Sequence, residues 1–429
     1  MSSNTPESSK GRADTDVVIV GAGPAGIAAA AACRIAGVRA MVLEKGKPAE
    51  CRDRDLPADI GGGVGGAGIF SDGKFSFYPS ATHLWELLPI ASLSAAYAWA
   101  SVQLGGAGLN VPPFPWHRPN SLAWAETGYF QTKEYPSLRL ALDKRLQLVQ
   151  SLSGVDVNLQ TSVEVTGLQL ERDGVVVRTR RGIGESHIEQ EVLARAAIVA
   201  TGRLGAITLL PWLRSVGAFR RLEIGIRIEQ AEEDFFLRDA DGLDPKLIGQ
   251  NQNGVEWRTF CCCREGQVIE VLSNGVLAVA GRSDLDSSKK SNVAFLVRIT
   301  DPEFGARVLP DVMSHLERQP SSFSIRVDHI EGDAGLIGVL IDRFGTDVAS
   351  ELALGLRKLS QQFKIRGPVT IHGPSVEGVG FYPEFGRDLR VAGWPLWLAG
   401  DVAGTFRGLT AAFVSGYFAG RECAGHICA

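Results

Sequence analysis

Val17 to Val20 is an unbroken apolar run, the pattern of a strand buried on both faces of a parallel sheet. Ala25 to Ala36 follows as a small-residue, helix-forming stretch, and Arg39 to Leu43 predicts a second strand ending at Glu44. The same order returns near the end of the chain. Leu396 to Ala399 reads as a buried strand, Gly400-Asp401 ends it, and Leu409 to Gly420 predicts a helix rich in small residues. Between them, Ala197 to Ala200 is a third buried run that stops at Thr201-Gly202, after short strands with a turn at Asp173-Gly174. Arg221 to Thr300 has a different period. "LEIGIRIE", "WRTFCCC", "QVIEVLS", "VLAVAG" and "VAFLVRI" alternate in strand fashion with turns near Gly266 and at Ser273-Asn274-Gly275, which predicts an antiparallel sheet. Helices are expected at about Pro302 to Arg318 and Ala349 to Phe363.

The first of these patterns carries chemistry. Gly21, Gly23 and Gly26 form G-x-G-x-x-G between the first strand and the helix. Gly21 allows the tight turn, Gly23 admits a pyrophosphate to the backbone, and Gly26 lets the helix pack on the strand. The helix start offers free N–H groups and a positive dipole end to phosphate. Glu44 ends the second strand, where a carboxylate can accept ribose hydroxyls. Strand, glycines, helix, second strand and acid all occur in order, so a dinucleotide site is expected.

"GGGVGGAGIFSDGK", Gly61 to Lys74, also satisfies glycine motifs, but its context fails them. The residues before it, "ECRDRDLPADI", are charged and contain Pro57, so no buried strand leads in. Phe75 follows Lys74 where a triphosphate loop needs Ser or Thr for magnesium. The glycines are therefore expected to allow close approach of something flat or bulky. The reactive ring of a cofactor held at the first motif is the natural candidate, with Gly65 and Gly66 against it and Asp72 and Lys74 turned toward its edge.

Composition narrows the function classes. The chain has 429 residues, 45% hydrophobic and 21% charged, with a net charge of −4. A large core is available, global disorder is excluded, and a nucleic-acid partner is not expected. The start, "MSSNTPESSKGRAD", reads as a polar tail over residues 1–14. Leu84 to Leu109 is the most apolar segment, but Glu86, Pro89 and Gln103 interrupt it before roughly 18 apolar residues accumulate. It reads as a buried or lid helix, with no stable membrane insertion and a cytoplasmic location by default.

The order of motifs resembles the FAD-dependent oxidoreductases of the two-dinucleotide-binding-motif type, in which an N-terminal G-x-G-x-x-G, a middle A-T-G strand end and a C-terminal G-D before a helix surround one FAD. The resemblance implies an α/β fold: a Rossmann-like FAD-binding domain with a mostly parallel sheet, and an inserted α+β substrate domain built on an antiparallel sheet. The implied division is an FAD-binding part at 15–215 with a helical cap at about 81–135, a substrate domain at 216–367, and a return to the FAD-binding domain at 368–429. By position, Gly21, Gly23, Pro24, Ala25 and Gly26 would hold the pyrophosphate and Glu44 the adenosine ribose. Thr201 and Gly202 would line the adenine side. Gly400 and Asp401 would meet the ribitol, and Gly408, Leu409 and Thr410 the flavin pyrimidine carbonyls. Lys45, Arg54 and Val163 are counted with this set. "GVGGAGIFSDGK", "LEIGIRIE", "DPKLI", "WRTFCCC", "VAFLVRIT" and "DLR" are further similar to a family of predicted FAD-dependent dehydrogenases of mostly unassigned substrate. The chain departs from that family at Arg264-Glu265, where Pro and Gly are expected, and at Asp401, where many members carry Glu.

The implied activity is hydride transfer from a small organic substrate to FAD, with O2 or a redox acceptor regenerating it. Oxygen activation by reduced FAD, as in a monooxygenase, and a non-catalytic redox-responsive flavoprotein stand as alternatives. Asp72, Lys74 and His372 are the candidate catalytic groups. Cys261, Cys262 and Cys263 sit in a predicted strand, where Cys261 and Cys263 share a side. They read as small buried residues rather than a redox centre. Cys423, His426 and Cys428 lack a fourth ligand and read as a fraying helix end, so no metal is expected.

Overall fold

The apolar runs become the centre of a seven-stranded sheet in the computed structural model, which describes residues 13–117, 128–154, 157–171, 174–183, 186–213, 217–284 and 287–429. Its central strand, Thr15–Val20, pairs in parallel with Ala40–Glu44 on one side and with the end of Ser186–Val199 on the other. Asn158–Thr161 and Leu396–Leu398 extend the parallel part. The first half of Ser186–Val199 turns antiparallel, pairing with Gly174–Ile183 and through it Val163–Glu171. Val17, Val18 and Ile19 have no exposed surface, which is why this strand shows no polar alternation. The helix Pro24–Ile35 covers the sheet and packs on the C-terminal helix Leu409–Cys428.

A second seven-stranded sheet, all antiparallel, runs in the order Phe323–Val327, Val369–Tyr382, Ala218–Ala231, Lys290–Ile299, Glu256–Cys263, Lys246–Gln250, Phe130–Lys133. Alternation gives it two unlike faces. Leu222, Ile224, Ile226 and Ile228 join Val293, Phe295 and Val297 in a core with the helices Ala334–Phe344 and Thr346–Phe363. Arg221, Glu223, Arg227 and Glu229 occupy the alternate positions of the same strand.

Four local expectations change. Gln267–Ser273 and Val276–Arg282, expected with the other strands of the antiparallel sheet, pair with each other as a separate two-stranded sheet. Ala334–Phe344 is an additional helix, capped by the Asp333 side chain accepting from Leu336 N–H. The expected helical cap contains the helix Ile90–Gly106, but its last part, Phe130–Lys133, is an edge strand of the second sheet. Ile90–Gly106 docks on the C-terminal helix through a Trp99–Tyr417 stack at 4.5 Å. The C-terminal segment does not fray: the helix continues to Cys428, with Cys423 buried. Residues 1–12 of the expected tail and Asp173 of the expected turn lie outside the described residues. Among the described residues, no helix is long and apolar enough to cross a membrane.

Candidate functional site

A cavity of about 900 Å³ is lined from both sheets. The first motif forms one wall. The Pro24–Ile35 helix starts at Gly23 with no side-chain cap, so its first amides are available to a ligand. The glycines divide their roles. A Cβ on Gly26 would lie 1.8 Å from the Gly21 carbonyl oxygen, so Gly26 is demanded by helix–strand packing. Among the described residues, a Cβ on Gly23 would meet only Gly66 Cα, at 3.8 Å, so none of them requires glycine there. The bare backbone of Gly23 faces the cavity, as a pyrophosphate site needs.

Glu44 is buried and accepts from the amides of Ala22 and Gly46, both at 2.8 Å, and of Gly63 at 3.2 Å. A carboxylate has about four acceptor positions, so one remains for a hydroxyl. Gly63 belongs to the glycine loop, which therefore folds back onto the first motif. Gly65 N–H donates to Ala22 C=O at 2.8 Å, and a Cβ on Gly66 would come within 3.1 Å of Gly23 Cα. Two backbones meet here, which accounts for part of the glycine richness without a ligand. Gly66 lines the cavity; Gly65 does not, since it packs against Ile69 and Val149. Two buried arginines shape the loop. Arg52 donates to the carbonyls of Asp59 and Val64, and Arg145 to those of Gly68, Ile69 and Ser71.

Other expected cofactor residues reach the cavity: Pro24, Ala25, Lys45 and Val163 on one side, and Thr201, Gly202, Gly400, Asp401, Gly408 and Leu409 on the other. Thr410 lies just behind, in the first turn of the C-terminal helix. Among the described residues, the hydroxyls of Thr201 and Thr410 are buried without a hydrogen-bond partner, and the helix start at Gly408 has no side-chain cap. Unsatisfied buried polar atoms around a cavity are what a bound polar group would complete. Burial raises the Asp401 carboxyl above its ordinary range. Arg54 lies outside the cavity lining and pairs with Asp284 at 3.4 Å.

The candidate catalytic residues separate. Asp72 and Lys74 line the cavity, are both buried, and form an ion pair at 2.8 Å. Asp244 stands 3.6 Å from the same ammonium, and Lys74 also donates to the Cys262 carbonyl. Burial disfavours the Asp72 charge, but Lys74 and a hydrogen bond from Cys261 outweigh it and lower the carboxyl to about 2. Likewise Lys74 is pushed down by burial but held well above its ordinary value by Asp72 and Asp244. His372 does not reach the cavity. Its Nδ1 is 2.6 Å from Ser324 Oγ and its Nε2 is 3.6 Å from Glu229.

The cysteine reading needs correction. Cys262 and Cys263 are buried, as expected of packing, and Cys261 is half-buried. Cys261 and Cys263 share a side, as expected, but that side faces Asp72, with their sulfurs 3.7 Å apart and the Cys261 thiol 3.2 Å from the carboxylate. A register shift between Phe260 and Cys263 makes a bulge, and Cys261 adopts φ +52°, unusual for a residue with a Cβ. Cys261 lines the cavity. The hydrogen bond within the pair raises Cys261 and lowers Cys263. Asp72, Cys261 and Cys263 have donor atoms within 4.8 Å of one another, but the Lys74 ammonium already neutralises Asp72 and would repel a cation.

Sequence reasoning missed the opposite wall. The charged face of the second sheet brings Lys133, Arg221, Lys246, Arg258 and Arg298 to the cavity, and Arg407 joins from the loop before the C-terminal helix. The signal was Glu223, Arg227 and Glu229 alternating with apolar residues in "LEIGIRIE", which marks a face that is buried yet polar. Glu223 has no exposed surface, and four arginines share its carboxylate: Arg298 and Arg407 at 2.9 Å, Arg221 at 3.6 Å and Arg258 at 3.8 Å.

Residues 14–54, the strand–glycine–helix–strand–acid segment and the chain just beyond it, match the family model described as FAD binding domain. The chain binds FAD. It is a flavoprotein. Solved structures similar to it include a flavoprotein/dehydrogenase from Cytophaga hutchinsonii, at 14% identity, covering 96% of this chain and 79% of that one with a TM-score of 0.36. Another is OxyS anhydrotetracycline hydroxylase from Streptomyces rimosus, at 14% identity, 96% and 62% coverage and a TM-score of 0.39. A third is a flavocytochrome c3 fumarate reductase, at 12% identity, 97% and 79% coverage and a TM-score of 0.44.

Proposed function

We propose that this flavoprotein is a dehydrogenase or oxidase that removes a hydride from a small organic substrate held in the cavity, with O2 or another redox acceptor completing the cycle. The observation that carries the reading is the Asp72–Lys74 pair, buried and lining the cavity beside the glycine loop. A flavoprotein serving only as a redox-responsive binding module has no use for ionisable groups there, and burying them costs stability.

When bound, FAD supplies a two-electron acceptor. The free amides at Gly23 and the next residues hold its diphosphate, while Glu44, Thr201 and Asp401 offer partners for its hydroxyls and polar edges. The uncapped start of the Leu409–Cys428 helix favours negative charge nearby. Lys74 holds a proton firmly at Nζ, because Asp72 and Asp244 raise its pKa, and so presents a fixed positive charge. A fixed charge aimed at developing negative charge lowers a barrier without reorganisation. Asp72, held ionised, positions that ammonium and takes the Cys261 thiol hydrogen bond.

The test is anaerobic mixing of the FAD-loaded protein with fractions of a metabolite extract. Bleaching of the flavin band by one fraction, followed by identification of the oxidised product, supports the reading. A hydroxylated product formed only with an external reductant and O2 would replace it with a monooxygenase. A flavin that no fraction reduces would leave the binding-module reading in its place.

A further inference from the structure

The charged wall of the cavity has more positive charge than its own carboxylates answer. Lys246 and Lys133 are direct cross-strand partners on neighbouring strands, so two lysines share one sheet face at opposite positions. Like charges directly opposite destabilise a sheet pair. Lys133 donates to Thr82 Oγ1 at 3.3 Å, a neutral partner. Among the described residues, Lys246 has no ion pair and no hydrogen-bond acceptor; its ammonium rests on the Phe260 ring, 5.3 Å from the centroid. The same ring carries the Arg407 guanidinium at 4.0 Å. Arg258 and Arg298 complete the group, and with Arg407 they are the cations that, after burial itself, depress the Lys246 pKa.

Glu223 does not offset this. Its carboxylate is already divided among four arginines. Glu256 pairs with Arg258, Glu377 with Arg203 and Arg407, and Asp401 with Arg221 at 3.4 Å. Among the described residues, Lys246 is left facing the cavity with cations around it and no acceptor of its own. Such an arrangement is costly without an anion and favourable with one. The diphosphate of the cofactor has its own place on the first sheet, at Gly23; the cationic group stands on the second.

We propose that Lys246, with Arg258, Arg298 and Arg407, binds a carboxylate of the substrate, so that this flavoprotein acts on an organic acid. The proposal rests on the flavoprotein reading of the cavity. A carboxylate is the anion of choice because guanidinium forks match its planar oxygen pair. Phe260, whose ring carries two of the cations, gives the adjacent part of the substrate an apolar surface.

The test uses the FAD-loaded protein, titrated with benzoate, succinate, benzamide and inorganic phosphate, with flavin absorbance and thermal midpoint both recorded. Benzoate or succinate is expected to perturb the flavin band and raise the midpoint, and benzamide to bind at least about tenfold more weakly. Lys246→Met and Lys246→Gln are each expected to weaken carboxylate binding by at least about tenfold at unchanged FAD content. Without added anion, their midpoints should be equal or higher, because an uncompensated cation is gone. Phosphate binding in preference to both acids would overturn the carboxylate assignment, as would acids that bind equally well to the Lys246 variants. Loss of FAD instead of carboxylate binding in those variants would assign the cations to the cofactor. A wild-type protein that holds no FAD would refute the flavin reading, while its midpoint still reports whether acids bind.

Discussion

The ammonium of Lys74 lies 2.8 Å from Asp72 Oδ2, with both side chains buried at the cavity wall. The pair makes Lys74 a structural as well as an electrostatic element. Lys74→Met leaves the buried Asp72, with Asp244 beside it, without a cation, and should cost about 3–5 kcal/mol of stability. The double variant Lys74→Met/Asp72→Asn should recover part of that loss. Chemical denaturation of the two variants checks this; equal stability of Lys74→Met and wild type would contradict it.

Acid sensitivity follows from the same pair. Asp72 titrates near 2 in the folded protein against 3.8 ordinarily, because Lys74 outweighs the effect of burial. A carboxyl depressed on folding adds stability that is fully present above its unfolded pKa. That contribution is lost as pH falls through about 2. Asp72→Asn should therefore be less stable than wild type at neutral pH, with the gap narrowing below about pH 4. Denaturation midpoints across this range measure it, and a gap that widens toward acid would be the wrong sign.

The glycines of the first motif should respond differently to substitution. Gly26→Ala forces a Cβ against the Gly21 carbonyl and should destabilise the fold by about 3 kcal/mol, the upper end of overpacking costs. Gly23→Val meets little protein and should fold near-normally, yet lose FAD. Thermal unfolding of apoprotein beside flavin content separates the two. A Gly23→Val protein that retains its flavin would show that the bare backbone serves something else.

The parallel-sheet motif was legible in the sequence because its signals are local. The Val17–Val20 run, the spacing of Gly21, Gly23 and Gly26, and Glu44 at a strand end all act within one βαβ unit. The glycine loop was legible only as a place of close approach. That Gly66 meets Gly23 and Gly63 meets Glu44 depends on how the chain folds back, which no local pattern encodes. Alternation in "LEIGIRIE" revealed a two-faced strand, but a charged face normally meets water. Only the tertiary arrangement turns Arg258, Arg298 and Lys246 toward the cavity. Cys261 escaped because a bulge and a left-handed backbone break the regular strand that the apolar pattern implied.

Thiol labelling should follow this geometry. Cys51 and Cys428 are exposed and should alkylate readily with or without cofactor. Burial pushes the Cys33 thiol up to about 12, so it should stay unmodified until the protein unfolds. Cys261 lines the cavity and should label faster in apoprotein than in FAD-loaded protein. Mass spectrometry of peptides after timed iodoacetamide treatment reads this directly; labelling of Cys261 that ignores the cofactor would place it away from the bound ligand.

The central claim is that this cavity holds FAD against the Gly21–Gly26 turn. Its most direct measurement is the identity and amount of the cofactor released from purified protein by heat, set against the Gly23→Val variant. One FAD per wild-type chain, with none on a folded Gly23→Val chain, is the predicted result. Release of FMN or a nicotinamide dinucleotide, or equal FAD on both proteins, would contradict it.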